Sequence, residues 1–298
     1  MINLFFIKTF ISVAQTGSFR LAAEKNNITQ PAVSQHIRLL EKRLRCVLFE
    51  RSSKKITLTS DGLIFISYAQ QILELYENAK TKISENNNQF TGDIHIISIY
   101  TMGLYQLKPI MQHLLKKYPG ININLEYGYH DAIYEAIKKR TADFGLVAYP
   151  KPMSGCMFKI FAEEEMVLVQ SNKHHFFKKR NVQLKELNGI SFVGLDSKTP
   201  TGAAIHQYLV SKDIQLNLIK ESENIETIKN AVDVGIGCSI LPKSTVLQEV
   251  KNKTFDIIQV KGLDIKRPLA ILYSNKKIFS KSTRLFYEMI HKDYSPSK

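Results

Sequence analysis

A chain of 298 residues with 44% hydrophobic residues is long enough for two domains and has the apolar content of a folded globular protein, which excludes a wholly disordered chain. Its formal charge of +14 points to an anionic partner, nucleic acid or a membrane surface. The three cysteines, Cys46, Cys156 and Cys238, have no CxxC or Cys/His ligand spacing, so neither a disulfide nor structural zinc is expected. No metal or cofactor is expected. The opening segment lacks a basic signal-peptide region and carries Lys8 in its apolar stretch, and no uncharged run reaches the roughly 18 residues of a membrane span. A cytoplasmic protein with no membrane partner is the expectation.

The charge is concentrated at the start. Residues 1–58 hold ten Lys and Arg against three Glu, which is half of the net charge in a fifth of the chain. In chain order, Leu4, Ile7, Phe10, Ile11 and Ala14 recur at helical spacing and stop at Gly17, predicting a first helix closed by glycine. Ser18 is a natural N-cap for a short second helix, broken at Asn26-Asn27. Thr29 caps a third, with Pro31 in its first turn where a missing N–H costs nothing. Two short helices around a tight turn predict a helix-turn-helix. Two β-prone pieces, Val47 to Phe49 and Ile56 to Leu58, flank a basic tip and predict a small wing.

Along the third helix, Val33, Ile37, Leu40 and Leu44 form one apolar stripe. Gln30, Ser34, Gln35 and Arg38 are then turned outward near the helix start, where they can meet base edges or phosphates in a major groove. A polar solvated face would look the same in isolation. The wing, the neighbouring helix and the basic bias favour double-stranded DNA.

From Ser60 to about Asn86 a long helix is predicted, with Phe65, Ala69, Ile72, Tyr76, Ala79 and Ile83 at spacings of 4 and 3. The seam could pack on the body of the same chain; a second copy is the favoured partner, because at ~1.5 Å per residue the helix would reach roughly 40 Å. Residues 85–93 are polar and read as a linker. Beyond them strands and helices alternate, predicting parallel sheets covered by helices, arranged in two lobes around a crevice.

The segment "GSFRLAAEKNNITQPAVSQHIRLLEKRLRCVLFER", with "LTSDG" after it, resembles the winged helix of LysR-type transcriptional regulators. "ADFGLVAYP", "TPTGAAI" and "VDVGIGCSILP" resemble that family's effector-binding half, so the likeness spans essentially the whole chain. The resemblance implies an α/β protein: a winged helix-turn-helix at 1–58, a linker and dimerisation helix at 59–87, and a two-lobed periplasmic-binding-protein-like effector domain at 92–298. Lobe I would be 92–162 with 268–298, and lobe II 163–267. One departure stands out. Arg45 occupies the place where the family usually ends its recognition helix with glycine, so it either takes an unfavourable turn or lets the helix continue.

On this reading Thr29, Gln30, Pro31, Ser34, Gln35, Arg38, Arg51, Ser53 and Lys54 face DNA, reading bases or holding phosphates. Two heads on a homodimer or homotetramer imply an interrupted palindromic operator, and RNA polymerase is a possible further partner. The crevice would hold a small-molecule effector, an anion by its chemistry. Its expected lining is Tyr100, Thr101, Met102, Gly103, Ala148, Tyr149, Thr199, Thr201, Gly202 and Asn224, at strand ends that face helix N-termini. Thr199, Thr201 and Asn224 are equally good plain N-caps.

His174-His175 lacks further ligands and reads as a basic solvated loop, and the run Glu163 to Glu165 as a solvated turn. No catalytic set is present, so no enzyme activity is expected. A small-anion solute-binding protein, or an enzyme on the same two-lobed fold, are the rival readings; neither has a use for a basic winged head.

Overall fold

The computed structural model describes residues 3–51, 56–85 and 90–293. They form two compact units that divide between Phe90 and Thr91.

The first unit is built from α1 (Leu4–Thr16), α2 (Phe19–Asn26), α3 (Gln30–Leu44), the hairpin β1 (Phe49–Arg51) and β2 (Ile56–Leu58), and α4 (Ser60–Glu85). Local chemistry sets nearly every boundary. Gly17 closes α1 in the left-handed conformation, Ser18 accepts from Leu21 N–H to start α2, and Thr29 accepts from Ala32 N–H to start α3. The α3 stripe is buried as the spacing predicts: Val33, Ile37 and Leu40 join Phe10, Val13 and Leu48 in one core, with Leu44 at its edge. Arg45 does take the unfavourable turn. It sits at φ 56° and sends its N–H to Glu41 O, so the helix stops there without glycine. Glu41 also accepts from Leu48 N–H at 2.8 Å, which pins the start of the wing to α3. At Gly62 a Cβ would lie 2.2 Å from the Leu48 carbonyl, so α4 can start against the wing only with glycine there.

The α4 seam divides in two. Ala69 is fully buried and Phe65 half-buried in the head's own core, which corrects the expectation that all six positions await a partner. Further along, Ile72 is 41% exposed, Tyr76 45% and Ile83 72%, and Ala79 is exposed too.

The second unit begins with β3 (Gly92–Ser98), a π-helical turn (Met102–Gln106), α5 (Leu107–Lys117), β4 (Ile121–Tyr127), α6 (His130–Lys138) and β5 (Phe144–Ala148). Then come the sixteen-residue β6 (Cys156–Ser171), β7 (Asn181–Gln183), β8 (Ser191–Leu195), α7 (Pro200–Ser211), β9 (Asn217–Ser222) and α8 (Ile225–Asp233). The chain closes with β10 (Ser239–Pro242), α9 (Leu247–Lys251), β11 (Phe255–Lys261), β12 (Lys266–Ser274) and α10 (Lys281–Asp293).

Two strands are shared between the lobes. The first half of β6 pairs with β12, and its second half pairs with β10 and β11. In the first lobe β3 lies parallel to β4 and β5, and β12 closes antiparallel on β5. In the second, β8 is parallel to β9 and β7 to β11, but β10 and β11 run against β6. The sheets are therefore mixed, where wholly parallel ones were expected; the two crossing strands must return antiparallel to link the lobes. The C-terminal α10 comes back to the first lobe, where Phe286 and Ile290 are buried and Ser282 Oγ donates to Thr91 O.

Candidate functional site

On the head, α3 is held by its inner face. His36 is half-buried, stacks on Phe6 at 4.6 Å and lies 3.1 Å from Thr9 Oγ1; burial pulls its pKa down, which favours the neutral ring against α1. The opposite face carries Gln30, Pro31, Gln35 and Arg38, all exposed, and half-buried Ser34. Gln30 and Ser34 are four apart, Gln35 and Arg38 three apart, so each pair stands on one helical face. Thr29 is exposed with its hydroxyl oxygen used by the cap. Arg51 contributes backbone to β1; Ser53 and Lys54 lie outside the described residues.

In the second unit, a residue absent from the expected lining ties the two lobes together. Arg267, at the head of β12, is only 2% exposed. Its guanidinium donates to Glu164 Oε2 at 2.9 Å, to Thr101 Oγ1 at 2.7 Å and to Thr201 Oγ1 at 3.3 Å. Glu164, 8% exposed on β6, also accepts from Gln106 Nε2 at 3.0 Å and from Ser244 N–H at 3.1 Å. The run Glu163 to Glu165 is thus strand, not a solvated turn, and its middle carboxylate is a buried counter-ion. The lone cation would be costly to bury; the carboxylate and the two hydroxyls make it tenable. Burial still lowers the guanidinium's pKa, with Glu164 opposing that shift.

The expected lining sorts into three groups. Thr101, Thr201 and Tyr149 converge on Arg267. Tyr149 sits at φ 51° with its hydroxyl donating to Lys266 O, and burial raises its pKa while the Arg267 charge lowers it. Because Thr101 and Thr201 accept from Arg267, each keeps its own O–H free to donate. A second group is consumed by the fold. Thr199 and Asn224 are N-caps, for Gly202 N–H and for the N–H groups of Glu226 and Thr227. Met102 is fully buried core, Gly103 leaves room for the Tyr127 ring, which a Cβ would meet at 2.5 Å, and Gly202 leaves room for the Asp196 carbonyl. Ala148 is buried too, and its carbonyl lies 2.7 Å from His130 Nε2. Tyr100 stands apart, exposed, with its ring tilted against that of Tyr127 at 5.3 Å between centroids.

A second link joins the lobes beside the first. Tyr105, on the π-turn, bonds Glu226 of α8, and Lys229 Nζ donates to the same phenol oxygen at 3.1 Å and to Glu249 at 2.6 Å. Burial and the Glu226 bond push the Tyr105 phenol up to about 12. A π-turn is an uncommon geometry that recurs at functional sites; here it places Thr101, Tyr105 and Gln106 on three different contacts to the crossing strands and the second lobe.

Arg267, Glu164, Gln106, Tyr105 and His130 were not among the expected site residues. Their signals were an arginine heading an otherwise apolar strand and a carboxylate within a β-prone run.

Comparison with known proteins agrees with this architecture. Residues 5–63 match the bacterial regulatory helix-turn-helix protein, lysR family, and residues 87–295 match the LysR substrate binding domain. The chain is 28% identical over 288 residues to the HTH-type transcriptional regulator CysL of Bacillus subtilis, covering 97% of this chain and 96% of that one. Its fold is similar to a full-length OxyR variant from Pseudomonas aeruginosa, with a TM-score of 0.74 and 22% identity across 99% of this chain and 95% of the other. The regulatory domain of Synechocystis CcmR in complex with 2-PG is also similar, at a TM-score of 0.61 and 22% identity over 68% of this chain and 98% of that domain. With a DNA-reading head, an effector-binding domain of two lobes, and both family models accounting for nearly all of its length, the chain belongs to the LysR family of transcriptional regulators.

Proposed function

We propose that this regulator senses a small anion in the crevice around Arg267 and conveys its presence to the α3 faces of two DNA-bound heads. The observation that carries the reading is the convergence of both lobes on one buried guanidinium: Thr101 from the first and Thr201 from the second. Both hydroxyls keep a hydrogen to donate, and Thr201 N–H lies in the first turn of α7, where the helix dipole favours negative charge. A ligand that accepts from both threonines draws the lobes together and is selected for acceptor oxygens. The similar CcmR regulatory domain is likewise found in complex with a small molecule, 2-PG.

Gln30, Ser34, Gln35 and Arg38 read bases or fix register in the major groove, and Thr29, Arg51, Ser53 and Lys54 hold phosphates, with Pro31 beside them in the first turn of α3. The exposed part of α4, from Ile72 to Ile83, pairs with a second copy, so the operator is an interrupted palindrome. The protein acts in the cytoplasm as a regulator without enzymatic activity, with RNA polymerase as the machinery it addresses. Two substitutions test the two halves. Arg38→Ala weakens and relaxes operator selection in a folded protein; an unchanged sequence preference removes α3 from the role. Thr201→Val abolishes stabilisation by small anions in a thermal-shift screen while DNA binding persists; a retained response to the same anion refutes the crevice assignment.

A further inference from the structure

The effector domain carries a basic pole that neither the heads nor the crevice uses. Between Glu165 and Glu186 the sequence has no carboxylate and holds Lys173, Lys178, Lys179, Arg180 and Lys185. Three loops meet there. Asn172 N–H donates to Thr254 O at 2.9 Å and its side chain to Lys253 O, which ties residues 172–180 to the turn that bears Lys251 and Lys253. Lys173 lies 3.9 Å from Asp233 at the end of α8, and the next loop comes so close that a Cβ at Gly235 would meet the His174 ring at 2.4 Å. Arg180 is held at 2.9 Å by Asp256. Six exposed cations, Lys173, Lys178, Lys179, Arg180, Lys251 and Lys253, therefore face two carboxylates, Asp233 and Asp256, a net of four positive charges.

This pole stands away from the crevice. β6 continues unbroken from Glu164 to Ser171, seven residue steps that span roughly 23 Å at ~3.3 Å each. That is beyond two Debye lengths at physiological salt, so an effector at Arg267 does not feel these charges. They contribute nothing to the packing of the lobe either, being solvent-exposed on the 172–180 loop and at or just past the end of α9.

We propose that this pole is a second, sequence-independent DNA contact, which binds the phosphate backbone of a duplex. The chemistry favours nucleic acid over an acidic protein. Stable protein interfaces place apolar and aromatic side chains at the centre and exclude lysine from it, whereas here lysines occupy the loops and Phe177 is buried beneath them. Phosphates ask only for positive charge on adaptable side chains, and reward it by counterion release.

The test uses the full-length protein and a duplex of mixed sequence several helical turns long. Wild type is compared with the triple variant Lys178→Gln, Lys179→Gln, Lys253→Gln, with the head variant Gln35→Ala, Arg38→Ala, and with their combination. Affinity is titrated against salt, and an unchanged thermal midpoint verifies folding. The triple variant is expected to bind more weakly and to lower the slope of log K against log salt by about 0.9 for each phosphate it no longer neutralises. The decrement should persist in the head variant. Equal affinity and slope for wild type and triple variant overturn the proposal. So does a triple variant that binds DNA normally but fails to support transcription by RNA polymerase, because the pole would then belong to an acidic protein.

Discussion

Replacing Arg267 by Met leaves Glu164 buried with its remaining bonds from Gln106 and Ser244 but without its cation. Three hydrogen bonds disappear together, to Glu164, Thr101 and Thr201. Removing one partner of a buried pair costs about 3–5 kcal/mol, because the survivor is an uncompensated charge. For a unit the size of residues 91–298, each kcal/mol lowers the midpoint by roughly 2–4 °C, so the loss should be roughly 6–20 °C. The chain has no tryptophan, so circular dichroism and tyrosine fluorescence are the natural probes. The double variant Arg267→Met, Glu164→Gln should recover much of the loss, since a neutral amide at 164 no longer needs a counter-charge. A single variant that costs less than about 1 kcal/mol, the worth of an exposed pair, would refute the claim that the pair is desolvated. A double variant no better than the single would show that the threonine bonds, not the charge, carry the stability.

Three further outcomes follow from other parts of the molecule. Arg45→Gly should stabilise the head by about 0.5–1 kcal/mol in denaturant titration, since Arg45 holds φ 56° where glycine is unstrained. Ile72→Asp, at a position 41% exposed beyond the head's core, should give monomers in sedimentation with the head still folded; a persistent dimer moves the interface off α4. For His130, burial lowers the pKa from its ordinary 6.5, so below that pH the unfolded chain takes up a proton that the folded one refuses. Its stabilising contribution is complete above pH 6.5 and is lost as pH falls toward the folded value. His130→Asn should flatten the stability-pH profile between neutrality and mild acid; His36 and His291, which burial shifts the same way, add to the slope in the same sense.

The head was legible because its determinants are local. Caps at Ser18 and Thr29, a stop at Gly17 and an apolar repeat from Val33 to Leu40 lie within a few residues of what they control. Even the exception at Arg45 showed as an anomaly in the sequence. The crevice was legible only at its threonines and caps. Arg267 meets Glu164 across 103 residues and Thr101 across 166, and no periodicity encodes such a meeting. The acidic run Glu163 to Glu165 looked solvated for the same reason: composition cannot tell an exposed carboxylate from one whose cation arrives from a distant strand. The long helix was divided by packing, since spacing alone gives Phe65 and Ala69 the same standing as Ile83.

The lobes share β6 and β12 as continuous, mutually bonded strands, and the register slips once, between Leu269 and Ala270 opposite Phe161. A pair of loose linkers would let each lobe swing freely about any axis. A double-stranded ribbon resists stretching and sideways bending but yields in torsion, and a bulge is where its ladder is weakest. Relative motion of the lobes should therefore be a twist with one soft notch at Phe161, so that a bound effector biases a rotation rather than a change in separation.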